Sequence, residues 1–246
     1  MKSIQKNLYN VLYQILLVIL PLITAPYISR TLGATSVGVY SYTYSVAYYF
    51  LMIAMLGIGN HGNRSIAAVR DDREKLNKTF SSIYLLQITT FSIAIFAYII
   101  YYIVFVKDNR LIVLLQLIYV TSGLFDIGWL FFGLEQFKLT VTRNTLIKIS
   151  TVLLMFVFVH KPTDLWKYTL IMASGTLLSQ AYLWVYVKKY VTFVKCNFIE
   201  IFSNIKPVLI LFIPVLAYSI YKVMDKIMLG NMSTYEQVGF YNNAEK

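Results

Sequence analysis

The chain has 246 residues, of which 58% are hydrophobic and only 13% charged, with 21 tyrosines and 16 phenylalanines. Soluble domains carry about a quarter charged residues, so this composition excludes an ordinary water-soluble globule and points to an all-α polytopic membrane protein with aromatic side chains at the bilayer interfaces. The net charge of +11 lies between apolar runs, where topology and anionic lipid account for it, so nucleic acid is not an expected partner. Cys196 is the single cysteine, which excludes an intrachain disulfide framework.

Charge-free gaps locate the spans, because one crossing takes about 20 apolar residues. Helix 1 is predicted over Leu8–Ser29, interrupted by Pro21 and Pro26, which remove backbone donors and loosen it. A cleaved signal peptide over residues 1–26 is the competing reading, opposed by an uncharged run long enough to span and by the spans that follow. Helix 2 is predicted over Val37–Gly59, and a mixed-charge loop, His61 to Lys78, follows it. Helix 3 covers Ser81–Val106 and helix 4 Leu111–Gly133. Helix 5, Thr145–His160, is short because only 12 residues separate Lys148 from Lys161, and Lys148 would have to snorkel. Helix 6 covers Tyr168–Val187, with Gly175 and Ser179 as a small-residue packing face. Pro207 opens helix 7, which runs to about Met224 with Pro214 inside. Lys and Arg divide 14 to 8 between the two sets of loops, which places the N-terminus in the cytoplasm.

A short motif recurs. Leu32-Gly33 followed by Val37-Gly38-Val39-Tyr40 returns as Leu229-Gly230 followed by Val238-Gly239-Phe240-Tyr241, each copy just after an apolar segment. A repeat at this offset predicts two helical halves. The expected organisation is a six-helix bundle over residues 1–206 and the opening of a second over 207–246, so that the chain reads as an N-terminal fragment.

The candidate chemistry is charge placed among apolar residues. No HExxH, P-loop, GxSxG or cysteine-rich metal motif is present, so no enzyme, metal site or cofactor is expected. Asp71-Asp72 could belong to a metal-diphosphate cluster, but no second carboxylate cluster exists and basic residues surround it, which suits a solvated loop. Ser122, Asp126, Trp129 and Gly133 are spaced to share one helix face. A carboxylate there costs at least ~2.5–3.5 kcal/mol on insertion scales, so Asp126 either pairs with a neighbouring helix or faces a cavity. Lys222, Asp225 and Lys226 follow an apolar run, and the two lysines repel unless Asp225 or an anion neutralises them. Arg30 ends the proline-broken helix 1, where it could grip phosphate oxygens or snorkel as an anchor. Tyr40, Tyr44 and Tyr48 form a ladder in helix 2, either packed against a neighbour or lining a polar surface for sugar rings.

Read in order, Ile28-Ser29-Arg30-Thr31-Leu32-Gly33 with Val37-Gly38-Val39-Tyr40, the Gly57–Arg64 region leading into Ala67-Ala68-Val69-Arg70-Asp71, Asp126-Ile127-Gly128-Trp129-Leu130-Phe131-Phe132-Gly133-Leu134-Glu135, and Asp225-Lys226-Ile227-Met228-Leu229-Gly230 with Val238-Gly239-Phe240-Tyr241 and Ala244-Glu245-Lys246 carry a resemblance. The chain resembles the polysaccharide flippases of the multidrug/oligosaccharidyl-lipid/polysaccharide exporter superfamily. The resemblance implies two pseudo-symmetric bundles around a cavity of alternating access in the bacterial cytoplasmic membrane. It implies an undecaprenyl-diphosphate-linked oligosaccharide as substrate, with a polysaccharide polymerase and glycosyltransferases as possible partners. It makes Arg30, Asp126, Lys222, Asp225 and Lys226 candidate cavity charges and Tyr44, Tyr48 and Trp129 candidate lining residues. Two alternatives stay open: a drug/cation antiporter of the same superfamily, which would want more carboxylates, and a polytopic glycosyltransferase or polymerase, which would want larger loops.

Overall fold

Helix is the only regular structure among the described residues of this computed structural model, which describes the backbone of residues 2–245 and the side chains of residues 20–245. Lys2 and Lys6, which enter the charge count, lie where side chains are not described, and Lys246 lies outside the described residues.

Ten α-helices follow in order among the described residues: α1 Lys2–Met55, α2 Ile58–Val69, α3 Arg73–Val104, α4 Arg110–Ser122, α5 Gly128–Gly133, α6 Phe137–Phe158, α7 Leu165–Tyr190, α8 Phe198–Phe202, α9 Ile205–Met232 and α10 Tyr235–Ala244. Among the described residues, six stretches are long and apolar enough to cross a membrane, which makes this an all-α polytopic membrane protein. The first of them, Leu20–Val69, joins the predicted helices 1 and 2 in 50 residues. It covers most of α1 and all of α2, and α1 is itself broken inside the stretch. That break is Gly33, at φ 76° and ψ 164°, a conformation open to a residue without Cβ.

Several predicted boundaries need correction. The stretch predicted as a loop, His61 to Lys78, is mostly helical, because α2 runs through Ile58–Val69 and α3 begins at Arg73, eight residues before the predicted Ser81. Helix 4 is not continuous: α4 ends at Ser122, a 3₁₀ turn covers Gly123–Phe125, and Asp126 is extended before α5 begins. Ser122, Asp126, Trp129 and Gly133 therefore do not share one helical face. Helix 5 starts eight residues earlier than predicted, at Phe137, because the Lys148–Lys161 gap is too short to cross and the helix recruits the polar residues before it. Helix 7 continues past Met224 to Met232, which puts Lys222, Asp225 and Lys226 inside α9 rather than at its end.

Side chains fix the packing. Asp72 caps α3, its Oδ1 accepting from the Lys75 N–H at 3.1 Å, and hydrogen bonding from Lys75 holds its carboxyl below the usual carboxylate range. Phe80, Ile58, Ile66, Trp129, Phe131 and Leu183 form the largest core cluster, tying α2, α3, α5 and α7 together. A second cluster sets Ile28, Leu32 and Val37 against Met155 and Tyr168. Gly175 meets Thr151 of α6, as its small-residue spacing predicts. Ile93, Phe96, Ile103, Val185 and Ile213 are each more than half exposed, as side chains that face lipid should be.

The two copies of the repeated motif meet in space. Gly38 of α1 lies against the backbone of Tyr235 and Gly239 in α10, and Gly239 lies against the backbone of Ala34. A Cβ at either glycine would strike main-chain atoms, so this close approach of α1 and α10 requires both.

Candidate functional site: a tyrosine-walled cavity

The second arm of α1, residues 34–55, turns Tyr40, Ser41, Tyr44 and Ser45 onto one face by their i, i+1, i+4, i+5 spacing. That face borders a cavity of about 320 Å³. Gln116 and Tyr119 of α4 close another side, Tyr168, Met172 and Thr176 of α7 a third, and Lys226 of α9 and Asn242 of α10 complete it. The tyrosines pack on one another: Tyr40 and Tyr44 stack with centroids 5.9 Å apart, and Tyr44 lies 4.8 Å from Tyr119. Tyr40 meets Tyr168 edge-on at 4.6 Å, an arrangement aromatic quadrupoles favour. The Tyr44 hydroxyl donates to that of Tyr119 at 3.2 Å. An apolar sleeve with a hydroxyl-studded interior results.

Of the five charged candidates, Lys226 alone lines this cavity. Its ammonium pairs with Glu245 at 2.6 Å and is mostly buried. Glu245, rather than Asp225, therefore neutralises it. Asp225 instead accepts from the Tyr241 hydroxyl at 2.7 Å, and the Lys222 ammonium donates to the Tyr218 hydroxyl at 2.9 Å. Lys222 and Asp225 are exposed, as is Arg30, which lies outside the cavity lining and has no hydrogen-bond or ion-pair partner among the described residues. Tyr44 lines the cavity, whereas Tyr48 sits one turn along, its ring 6.5 Å from that of Tyr44 and outside the lining.

Asp126 and Trp129 belong to a second cavity of about 300 Å³, bordered also by Asn60, Asn63, Arg143 and Gln180. Asp126 Oδ1 accepts from the Gly128 N–H at 2.9 Å, an Asx turn that leads from the break into the short helix α5. The break is closed from behind by Gln87. Its Nε2 donates to the carbonyls of Gly123 at 2.8 Å and Asp126 at 2.9 Å, and its Oε1 accepts the Trp129 indole N–H at 3.0 Å. Carbonyls freed by a helix interruption need such partners where no water reaches them. Facing Asp126 across the cavity is Arg143, buried in α6, which donates to Gln180 Oε1 at 2.9 Å and to Asn144 Oδ1 at 3.0 Å.

Sequence reasoning missed Arg143, Gln87 and Gln116. Arg143 was legible in principle, since a 12-residue gap after Lys148 forces the helix to start earlier and to carry this arginine. The glutamines were legible as amides inside apolar runs, where each needs a partner.

No solved structure matches the chain. Among curated proteins, the "Putative O-antigen transporter" of Escherichia coli (strain K12) is 25% identical over 231 residues, covering 92% of this chain and 55% of the relative. A protein of the same description from Shigella dysenteriae is 26% identical over 231 residues, covering 92% of this chain and 58% of its own. The chain thus spans about half the length of the curated relatives it matches. Its match to the family described as "Polysaccharide biosynthesis protein" runs over residues 3–246, nearly the whole sequence, and the chain belongs to that family.

Proposed function

We propose that this chain belongs to a transporter that moves undecaprenyl-diphosphate-linked oligosaccharide repeat units across the bacterial cytoplasmic membrane for surface polysaccharide synthesis. The observation that carries the reading is the tyrosine-walled cavity: a polar interior holding one buried lysine, inside helices whose outer faces suit lipid. A diphosphate and its sugars cannot cross hydrocarbon unaided, whereas a polyprenyl tail can remain in lipid. A polar cavity open to successive membrane faces lowers that barrier without breaking a bond. In this reading residues 1–206 form a first bundle and residues 207–246 open a second, with the N-terminus in the cytoplasm. Arg30 and Lys222, exposed and not ion-paired among the described residues, are the cations offered to the diphosphate, with Lys226 able to exchange Glu245 for a phosphate oxygen. The relatives are named as transporters, in keeping with a membrane protein that moves its substrate rather than transforming it.

Deleting the gene in its host should abolish surface polysaccharide while lipid-linked repeat units accumulate on the cytoplasmic side. Repeat units that still reached the outer leaflet in the deletion strain would sink the reading. Orientation is tested separately in a Cys196-free background. Cysteine at Asn77 should resist a membrane-impermeant thiol reagent in intact cells, whereas cysteine at Asn109 should react.

A further inference from the structure

The tyrosine-walled cavity contains a polar group that the protein leaves unanswered. Gln116 is 1% exposed, and its Nε2 amide has no hydrogen-bond partner among the described residues. A buried donor without a partner is costly, and native structures keep few of them. The hydroxyls of Ser41, Ser45, Tyr40 and Tyr168 border the same space and make no hydrogen bonds with the described residues either. Five polar groups on three helices thus face one volume without being used to hold those helices together.

The chemistry that would suit this space follows from its walls. Lys226, the one cation of the lining, is paired with Glu245, and every other polar side chain there is a neutral hydroxyl or amide, so a ring seated beside those groups needs no charge. At about 320 Å³ the space is at the small end of ligand pockets, which run about 300–1,000 Å³, and suits one ring rather than an oligosaccharide. The rings of Tyr40, Tyr44, Tyr119 and Tyr168 border the space with apolar surface beside hydroxyl donors and acceptors, a combination that matches a ring with C–H groups on its faces and oxygens at its edge. We infer that this cavity seats a single uncharged sugar ring, the Gln116 amide donating to an acceptor oxygen such as an acetamido carbonyl while the tyrosines cover the ring face. The inference rests on the transport reading and assigns to Gln116 the recognition of one sugar residue of the cargo. Ordered water is the competing occupant, since a polar cavity of this size has room for about ten molecules at ~30 Å³ each.

Saturation-transfer difference NMR on the purified protein in lipid nanodiscs separates the two. The probes are methyl glucoside and its 2-acetamido counterpart. Wild type should transfer saturation to their ring protons. Gln116→Met, which keeps the volume but removes the amide, should weaken binding about tenfold, the effect of losing one hydrogen bond. Ser41→Ala should weaken it also, and serves as the second variant should Gln116→Met fail to fold. Absence of transfer from the wild type, or transfer unchanged in both variants, overturns the sugar seat and leaves a water-filled cavity. The transport reading would survive that result, because accumulation of repeat units in the deletion strain is measured without reference to this cavity.

Discussion

Two buried glutamines, Gln87 and Gln116, sit in apolar helices and live opposite lives. Gln87 is saturated: it bonds two carbonyls and an indole, and closes the gap where the span Arg110–Gly133 stops being helical. Gln116 has an amide with no partner and borders an open cavity. The same side chain serves as a fastener in one place and, among the described residues, has an unpaired amide nitrogen in the other. Satisfaction, rather than burial or residue type, separates the glutamine that holds the fold from the one that borders the cavity.

Gln87→Met is the most severe way to break the contrast. It strands two carbonyls and one indole N–H at the helix break, and at about 1–3 kcal/mol per unpaired buried group the loss should be at least ~3 kcal/mol. Thermal unfolding in detergent should show a large fall in Tm. A Tm within a degree of wild type would mean that the break does not depend on Gln87.

Next comes the α1–α10 contact that forms one edge of the cavity. Gly239→Ala places a methyl group against the Ala34 backbone, which cannot give way as a side-chain end could. Overpacking of this kind costs about 1–3 kcal/mol, and relief requires α10 to move away from α1. Disulfide crosslinking between cysteines placed at Ala34 and Gly239 neighbours, tested with and without the substitution, reads that separation directly. Unchanged crosslinking and unchanged Tm would show that the glycines are not needed for the approach.

Asp126→Asn is gentler. Asparagine retains the acceptor for the Gly128 N–H, so Tm should shift by the equivalent of less than about 1 kcal/mol, while the field acting on Arg143 changes. On the transport reading proposed above, export should fall if the charge serves coupling. A large fall in Tm would instead make Asp126 a fastener of the same kind as Gln87.

Gln116→Met should have the smallest effect on stability, within about 0.5 kcal/mol of wild type or slightly stabilising, because it removes a donor that has no partner. A loss as large as that of Gln87→Met would erase the distinction between the two glutamines. Thermal melts of both variants side by side decide it.

The all-α, membrane-spanning character was legible from composition and from the gaps between charges, because hydrocarbon imposes a length and a polarity that no tertiary contact is needed to enforce. The Tyr40–Tyr44 ladder and the Gly175 packing face were legible from spacing for the same local reason. The repeated Val-Gly motif was visible, although its physical meaning was not. That the two copies press backbone to backbone depends on how α10 folds back onto α1. The supposed face linking Ser122, Asp126 and Trp129 failed because a helix can break inside an apolar run when a distant residue satisfies the freed carbonyls, and Gln87 lies 36 residues before Gly123. Likewise, Lys226 was expected to find Asp225 or an anion nearby, but its partner is Glu245 on the next helix. Local sequence determined which segments are helical and which residues are out of place in lipid. Only the tertiary structure decided how Gln87 and Lys226 are answered, because their partners lie in other elements and hydrogen bonding depends on proximity in space rather than along the chain.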